Sequence, residues 1–337
     1  MITHLITPKG LIPKENWRLL LWRYTPKYLK VALAEREWNG TPSVTTCNRC
    51  PREYIFKQIF PYAVDPESFA FAALGTMVHA ILEDDDAAVF CEERMQFSME
   101  TKLSGMLDLA YVRNGKLCID DYKTWGSYAV AKHMGMEEKT RPMLDYDGKP
   151  VLYKNSRKGK WTVGEARIEK YYVPNPEKAE KRDAEMQVNM YRIMLEYLIK
   201  IGTVKFPDIE GPKKVSDMKV FCIVRDGNTA VAKSRGIMSQ TYAIPMKILP
   251  DEEVLEYFGS RAKYIKEYMD KYEYDNSEVI LENPPRMGTA RETLNGYLCR
   301  VTCPVAHLCK RCKEHPVEAE RDLAIEELIN PYSGQLK

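Results

Sequence analysis

The sequence predicts a mixed α/β protein in which helices flank a central mixed sheet. Three observations carry this expectation. Asn114-Gly115 lies between two apolar-rich segments, and Asn-Gly in that setting is the strongest short-range signal for a two-residue β-hairpin turn. Two segments repeat apolar residues at helical spacing: Gln187, Tyr191, Met194, Leu195 and Leu198 in one, and Val254, Phe258, Ala262, Ile265, Met269 and Tyr272 in the other. Between them, Met218-Lys-Val-Phe-Cys-Ile-Val reads as a buried strand.

The remaining elements follow in chain order. Residues 1–46, with Trp17, Trp22, Tyr24 and Tyr28, read as an N-terminal extension. Cys47-Asn-Arg-Cys50-Pro-Arg opens a helix through Phe60, and a second helix runs from about Ser68 to Ala88. Residues 95–123 read as β-structure, apolar on both faces, as in a sheet covered on both sides. Residues 126–165 form the least regular stretch and carry the densest basic patch, Lys154, Arg157, Lys158 and Lys160 beside Trp161. Such a stretch is either a solvated loop with ordinary lysines or a flap that binds a nucleic-acid backbone. A helix over 183–200, strands over 217–225 and 240–249, and a helix over 250–272 complete the pattern. Asn283-Pro-Pro then breaks the chain before the last cysteines.

Composition narrows the class. In 337 residues, 50 Lys and Arg balance 48 Asp and Glu, so any basic surface is local. A hydrophobic fraction of 45% with 29% charged residues is that of an ordinary globular chain. No apolar run approaches the 18 or so residues of a membrane span, and no secretory signal is visible, so the expected location is cytoplasmic. Nine cysteines is many for such a chain, and clustered cysteines there point to metal or redox chemistry rather than disulfides. Cys91, Cys118 and Cys222 lie in apolar segments and read as inert core residues.

A turn centred on Asn114-Gly115 makes Val112 face Leu117, Ala110 face Ile119 and Asp108 face Asp121. Directly opposed residues hold their Cβ atoms roughly 5 Å apart. Two carboxylates that close repel unless a cation lies between them or one keeps its proton. Lys123, two residues beyond Asp121, points to the same face, whereas Asp120 points to the other. Two acids and a lysine on one face form a site for a hard divalent cation and a phosphate. A one-residue bulge would exchange Asp121 for Asp120.

With these residues in view, the chain resembles the RecB-like branch of the PD-(D/E)XK nucleases, which have a restriction-endonuclease-like core. The family's Gly-x-x-x-His is matched by Gly75 to His79, its Gly-x-x-Asp by Gly105 to Asp108, its Asp-x-Lys by Asp121-Tyr122-Lys123, and its Gln-x-x-x-Tyr by Gln187 to Tyr191. All four occur in family order. The resemblance implies that His79, Asp108, Asp121 and the carbonyl of Tyr122 hold Mg²⁺ or Mn²⁺. It implies that Lys123 orients the attacking water or stabilises charge on phosphorus, and that Gln187 and Tyr191 steady the substrate. The bland alternatives are a helix histidine paired with Glu83, and simple core packing for Tyr191.

The resembled subgroup, similar to the CRISPR-associated Cas-four exonucleases, carries a [4Fe–4S] cluster on one cysteine before the core and three after it. Here these would be Cys50, Cys299, Cys303 and Cys309, with three residues rather than the more usual two between Cys299 and Cys303. The rival is a Zn²⁺ site at Cys47, Cys50, Cys309 and Cys312, whose CxxC spacings suit tetrahedral zinc. The implied organisation is an extension (1–46), a cysteine-stapled module (47–68 with 284–337) and a nuclease core (69–283) with an insertion at about 126–165. The implied function is metal-dependent exonuclease action on single-stranded DNA or DNA ends, with other DNA-processing proteins as further partners. Recombination, repair, phage replication and CRISPR adaptation all use such domains. The alternative is a nucleic-acid-binding or scaffolding subunit that keeps the fold while a partner performs the chemistry.

Overall fold

The computed structural model describes residues 1–8, 10–82, 88–204, 214–275 and 303–305. It shows a mixed α/β protein. Strand β1 (Ile2–Thr7) pairs antiparallel with β2 (Gly10–Pro13), and in parallel with β3 (Tyr62–Val64), in a three-stranded sheet of order β2-β1-β3. The first 46 residues, read from sequence as an extension, are thus tied to the chain around Tyr62. Helix α1 (Pro26–Ala32) starts at Thr25, whose side chain accepts a hydrogen bond from the Tyr28 amide.

The helix expected from Cys47 to Phe60 is two helices, α2 (Val44–Asn48) and α3 (Pro51–Ile59). Pro51 is the reason. A proline pushes the preceding residue out of the helical region, and Cys50 accordingly has ψ 110° as the N-cap of α3. Cys47 therefore lies on one helix and Cys50 at the head of the next.

Helix α4 is described over Ala70–Leu82, within the expected 68–88, and strand β4 (Ala88–Ser98) begins at the residue where that helix was expected to end and before the expected 95. Glu83, the partner of His79 in the bland alternative, lies outside the described residues.

β4 pairs antiparallel with β5 (Lys102–Arg113), with Met95 opposite Gly105 and Leu107 opposite Glu93. Asn114 and Gly115 join β5 to β6 (Lys116–Lys123) with φ of 52° and 72°, the two left-handed conformations that a type I′ hairpin requires. Then come α5 (Ser127–Met134), β7 (Met136–Pro142), β8 (Ile168–Pro174), α6 (Arg182–Lys200), β9 (Val215–Ile223), α7 (Ala230–Lys233), β10 (Thr241–Pro245) and α8 (Asp251–Asp275). The principal sheet has the order β10-β9-β6-β5-β4. The stretch expected to be irregular, 126–165, holds α5 and β7, which pairs with β8 just beyond it in a separate two-stranded sheet.

Contacts divide the chain into two units. The first comprises Met1–Ile119, Glu185–Ser216 and the described residues of Ile248–Lys337; the second comprises Asp120–Ala184 and Asp217–Lys247. In the first, Met186, Met190 and Met194 of α6 and Val254, Phe258, Ala262 and Ile265 of α8 are fully or almost fully buried, as their helical spacing requires. Burying such a side chain contributes about 1.5–3 kcal/mol. A polar network joins the two helices. The Arg192 guanidinium donates to Asp251 at 2.6 Å and to the Leu249 carbonyl at 3.1 Å, while the Asn189 side-chain oxygen accepts from the Leu249 amide. In the second unit, β9 and β10 pair antiparallel, with Phe221 opposite Ala243. Among the described residues no helix is long and apolar enough to cross a membrane.

Candidate active site

In the first unit, β5 carries Asp108 into a buried position, with only 5% of the residue exposed. His79 of α4 faces it, with Nδ1 3.7 Å from Oδ1. That separation is longer than a hydrogen bond. It places a basic imidazole beside a carboxylate that has little solvent.

Gln187 and Tyr191 lie one turn apart on α6, and the Gln187 amide nitrogen donates to the Tyr191 hydroxyl at 3.1 Å. Tyr191 is buried, so it both packs and makes a polar contact. The ring lies on Gly105. A Cβ added at Gly105 would sit 3.0 Å from Tyr191 Cε1 and 3.1 Å from the Met194 sulfur. The glycine of Gly-x-x-Asp thus admits the tyrosine of Gln-x-x-x-Tyr. Gly105→Ala is expected to cost about 1–3 kcal/mol of stability, the usual penalty of overpacking a well-filled core. The midpoint of urea unfolding measures this, and an unchanged midpoint would show that Tyr191 can yield without cost.

In the second unit, alternation along β6 separates the two neighbouring acids. Asp121 is 1% exposed, and the Lys123 ammonium lies 2.5 Å from its Oδ2. Lys123 Nζ also donates to the Tyr122 carbonyl at 3.3 Å. Asp120 instead pairs with Lys219 of β9 at 3.1 Å, and the Tyr122 ring meets Phe221 edge-on.

A second cluster follows Lys123 closely and was not signalled by any motif. The Ser127 amide and hydroxyl both donate to the Asp226 carboxylate at 2.6 Å, and Arg235 donates to the Ser127 hydroxyl at 2.8 Å. The Arg225 amide donates to the Trp125 carbonyl at 2.9 Å. Asp226 so fixes the start of α5, four residues after the lysine. The only sequence hint was the turn-forming Asp226-Gly227 pair.

The Ser127 hydroxyl, with help from its amide and from Arg235, holds the Asp226 carboxyl below its ordinary range, against an opposing push from burial. A carboxyl whose folded-state pKa is depressed contributes stability above its unfolded value, and that contribution is lost as pH falls through the folded value. The unfolded value is near 3.9. The wild-type protein should therefore lose stability on acidification below about pH 4 more steeply than Asp226→Asn. Urea unfolding at a series of pH values tests this, and parallel profiles for the two proteins would count against it.

The basic residues of the 126–165 stretch also fall in the second unit. Lys154, Arg157, Lys158 and Lys160 are exposed, while Trp161 is half-buried and stacks on Tyr153 at 4.7 Å.

Of the cysteines proposed to bind iron or zinc, Cys47, Cys50 and Cys303 are described; Cys299, Cys309 and Cys312 lie outside the described residues. Burial pushes the Cys303 thiol well up, Glu53 and Cys50 add to this, and the Val305 amide and Lys57 oppose it. Cys303 is therefore near the head of α3, despite the length of chain between them. Burial also pushes the Cys47 thiol up, with Arg261 opposing. Cys118 and Cys222 are buried, as expected, whereas Cys91 is half-buried. Among the described residues, no three or more His, Cys, Asp or Glu side chains are grouped so as to hold a metal ion.

No protein-family model matches this chain, and no curated protein matches it. A solved structure titled "Crystal structure of SSO0001" is similar over 88% of this chain and 96% of that one, with 15% identity and a TM-score of 0.39.

Proposed function

We propose that this protein is a metal-dependent DNA nuclease of the PD-(D/E)XK type, stabilised by a cysteine-bound iron–sulfur cluster. The single observation that carries the reading is the pairing of Asp121 with Lys123 on one face of β6, while Asp120 turns to Lys219. That is the arrangement an Asp-x-Lys motif needs in order to work. The His79–Asp108 approach and the Gln187–Tyr191 bond support it from the other motifs.

The resemblance implies Mg²⁺ or Mn²⁺ on the Asp108 and Asp121 carboxylates, the Tyr122 carbonyl and the His79 imidazole, donor types of the kind a hard cation takes. Such an ion polarises a phosphodiester and lowers the pKa of a bound water. The rest of the work falls to the chain. Burial keeps Asp108 and Asp121 in surroundings where charge interactions are strong. The Lys123 ammonium would accompany negative charge as it grows on phosphorus, a form of electrostatic stabilisation. Gln187 would orient the Tyr191 hydroxyl toward substrate.

Thiolates are the usual ligands of iron–sulfur clusters. Cys50 and Cys303, whose thiols feel each other's charge, would take two of the four positions, and Cys299 and Cys309, outside the described residues, the other two. The test is cleavage of end-labelled single- and double-stranded DNA with Mg²⁺, Mn²⁺ or EDTA, comparing wild type with Asp121→Ala. If the two cleave alike, or neither cleaves, the reading fails.

A further inference from the structure

Chain 136–174 leaves α5 and returns as an antiparallel arm. β7 and β8 pair from Met136 opposite Pro174 to Pro142 opposite Ile168. Beyond them lie three isolated bridges: Leu144 with Pro150, which closes a turn of its own, then Leu152 with Ala166 and Arg157 with Trp161.

Charge is distributed unevenly along the arm. Near the paired strands, acids and bases neutralise each other: Glu137 with Lys178 at 2.6 Å, Glu138 with Lys170 at 2.8 Å, and Arg141 with Glu169 at 2.7 Å. Farther out, between Asp147 and Glu165, the sequence has five cations and no carboxylate. Lys149, Lys154, Lys158 and Lys160 are exposed and, among the described residues, form no ion pair.

The aromatic residues are arranged in a particular way. Tyr153 and Trp161 stack 4.7 Å apart with their planes 11° from parallel. The Arg157 guanidinium lies 5.6 Å from the Trp161 ring centroid, and that of Arg167 lies 5.7 Å from the Tyr153 centroid. Both separations fall within the cation–π range. The rings are thus engaged with each other and with arginines. A guanidinium so held loses less freedom when it binds a phosphate, to which its planar fork is well matched.

We propose that this arm grips the phosphodiester backbone of DNA, with the stacked rings fixing guanidinium groups rather than accepting bases. The inference rests on DNA being the substrate, but not on the cleavage chemistry. Contact with phosphates alone makes binding indifferent to bases and strongly dependent on salt. Base stacking on aromatics would make it depend on the bases.

The experiment measures binding in EDTA of an oligo-dT strand and an abasic strand of equal length, over a range of salt. The full-length protein is compared with a K154E/K158E/K160E variant whose thermal unfolding is first checked against wild type. Wild type should bind the two strands within about twofold. The variant should bind at least about tenfold more weakly, with a log–log salt slope shallower by about 2, since each single-strand phosphate contact contributes roughly 0.7. Much weaker binding of the abasic strand, or a variant with wild-type affinity and slope, would overturn the proposal. Should arm-dependent binding appear while Asp121→Ala cleaves as wild type does, the grip stands and the nuclease assignment falls. Absence of any DNA binding by wild type removes both.

Discussion

Asp121→Ala is expected to lower the rate of metal-dependent DNA cleavage by on the order of 10³-fold or more, because it removes a proposed metal ligand, and even one preorganised electrostatic contact is worth roughly 10²–10³ in rate. The loss should fall on cleavage and spare DNA binding, which we propose the basic arm supplies. Asp121→Asn, nearly isosteric, is the companion variant if the alanine protein folds poorly. The informative control is the adjacent acid. Asp120 pairs with Lys219 on the opposite face of β6, so Asp120→Asn should weaken the fold yet leave cleavage within about tenfold of wild type, as for a residue that touches no reacting atom. A reversal, with Asp120 essential and Asp121 dispensable, would mean that the other face of the strand carries the chemistry. Lys123→Ala should lower the rate with little change in affinity, as expected of a group that interacts only in the transition state.

Protein purified without oxygen is expected to be brown, with broad visible absorbance and bound iron and sulfide. Its unfolding midpoint should fall sharply when the cluster is lost. Metal binding by a site absent from the unfolded chain is folding free energy, on the order of 10 kcal/mol for structural zinc in small domains. The two cysteine sets make opposite predictions at two described positions. Cys303 belongs only to the iron–sulfur set, so Cys303→Ser should abolish colour and metal in that reading and leave a zinc site intact. Cys47 belongs only to the zinc set, and Cys47→Ser should do the reverse. A colourless protein carrying one zinc, lost in Cys47→Ser and kept in Cys303→Ser, would replace the cluster with zinc.

Features set by neighbouring residues were legible in the sequence. The positive φ at both Asn114 and Gly115 follows from the only common residue types that tolerate it. The buried stripe of α8 follows from a period of 3.6, and the opposite pairings of Asp120 and Asp121 from a period of 2, whereas α6 is buried on nearly every side from Ala184 to Leu195. The failures were also local. Pro51 splits a helix that composition had joined, and the start of β4 at Ala88 went unread because an apolar run short enough for either state gives no period to decide between them.

What the sequence by itself determined is therefore the set of secondary elements around the candidate site and the face on which each acid, lysine, glutamine and tyrosine falls. Turn chemistry and strand or helix period act over a few residues and need no partner. Tertiary structure alone decided which distant groups meet: the Tyr191 ring on Gly105, Asp226 on Ser127, Cys303 near Cys50, and Trp161 on Tyr153. These contacts depend on how packed elements fill space. Many partners of similar size or charge would satisfy the same local pattern, so no spacing along the chain selects among them.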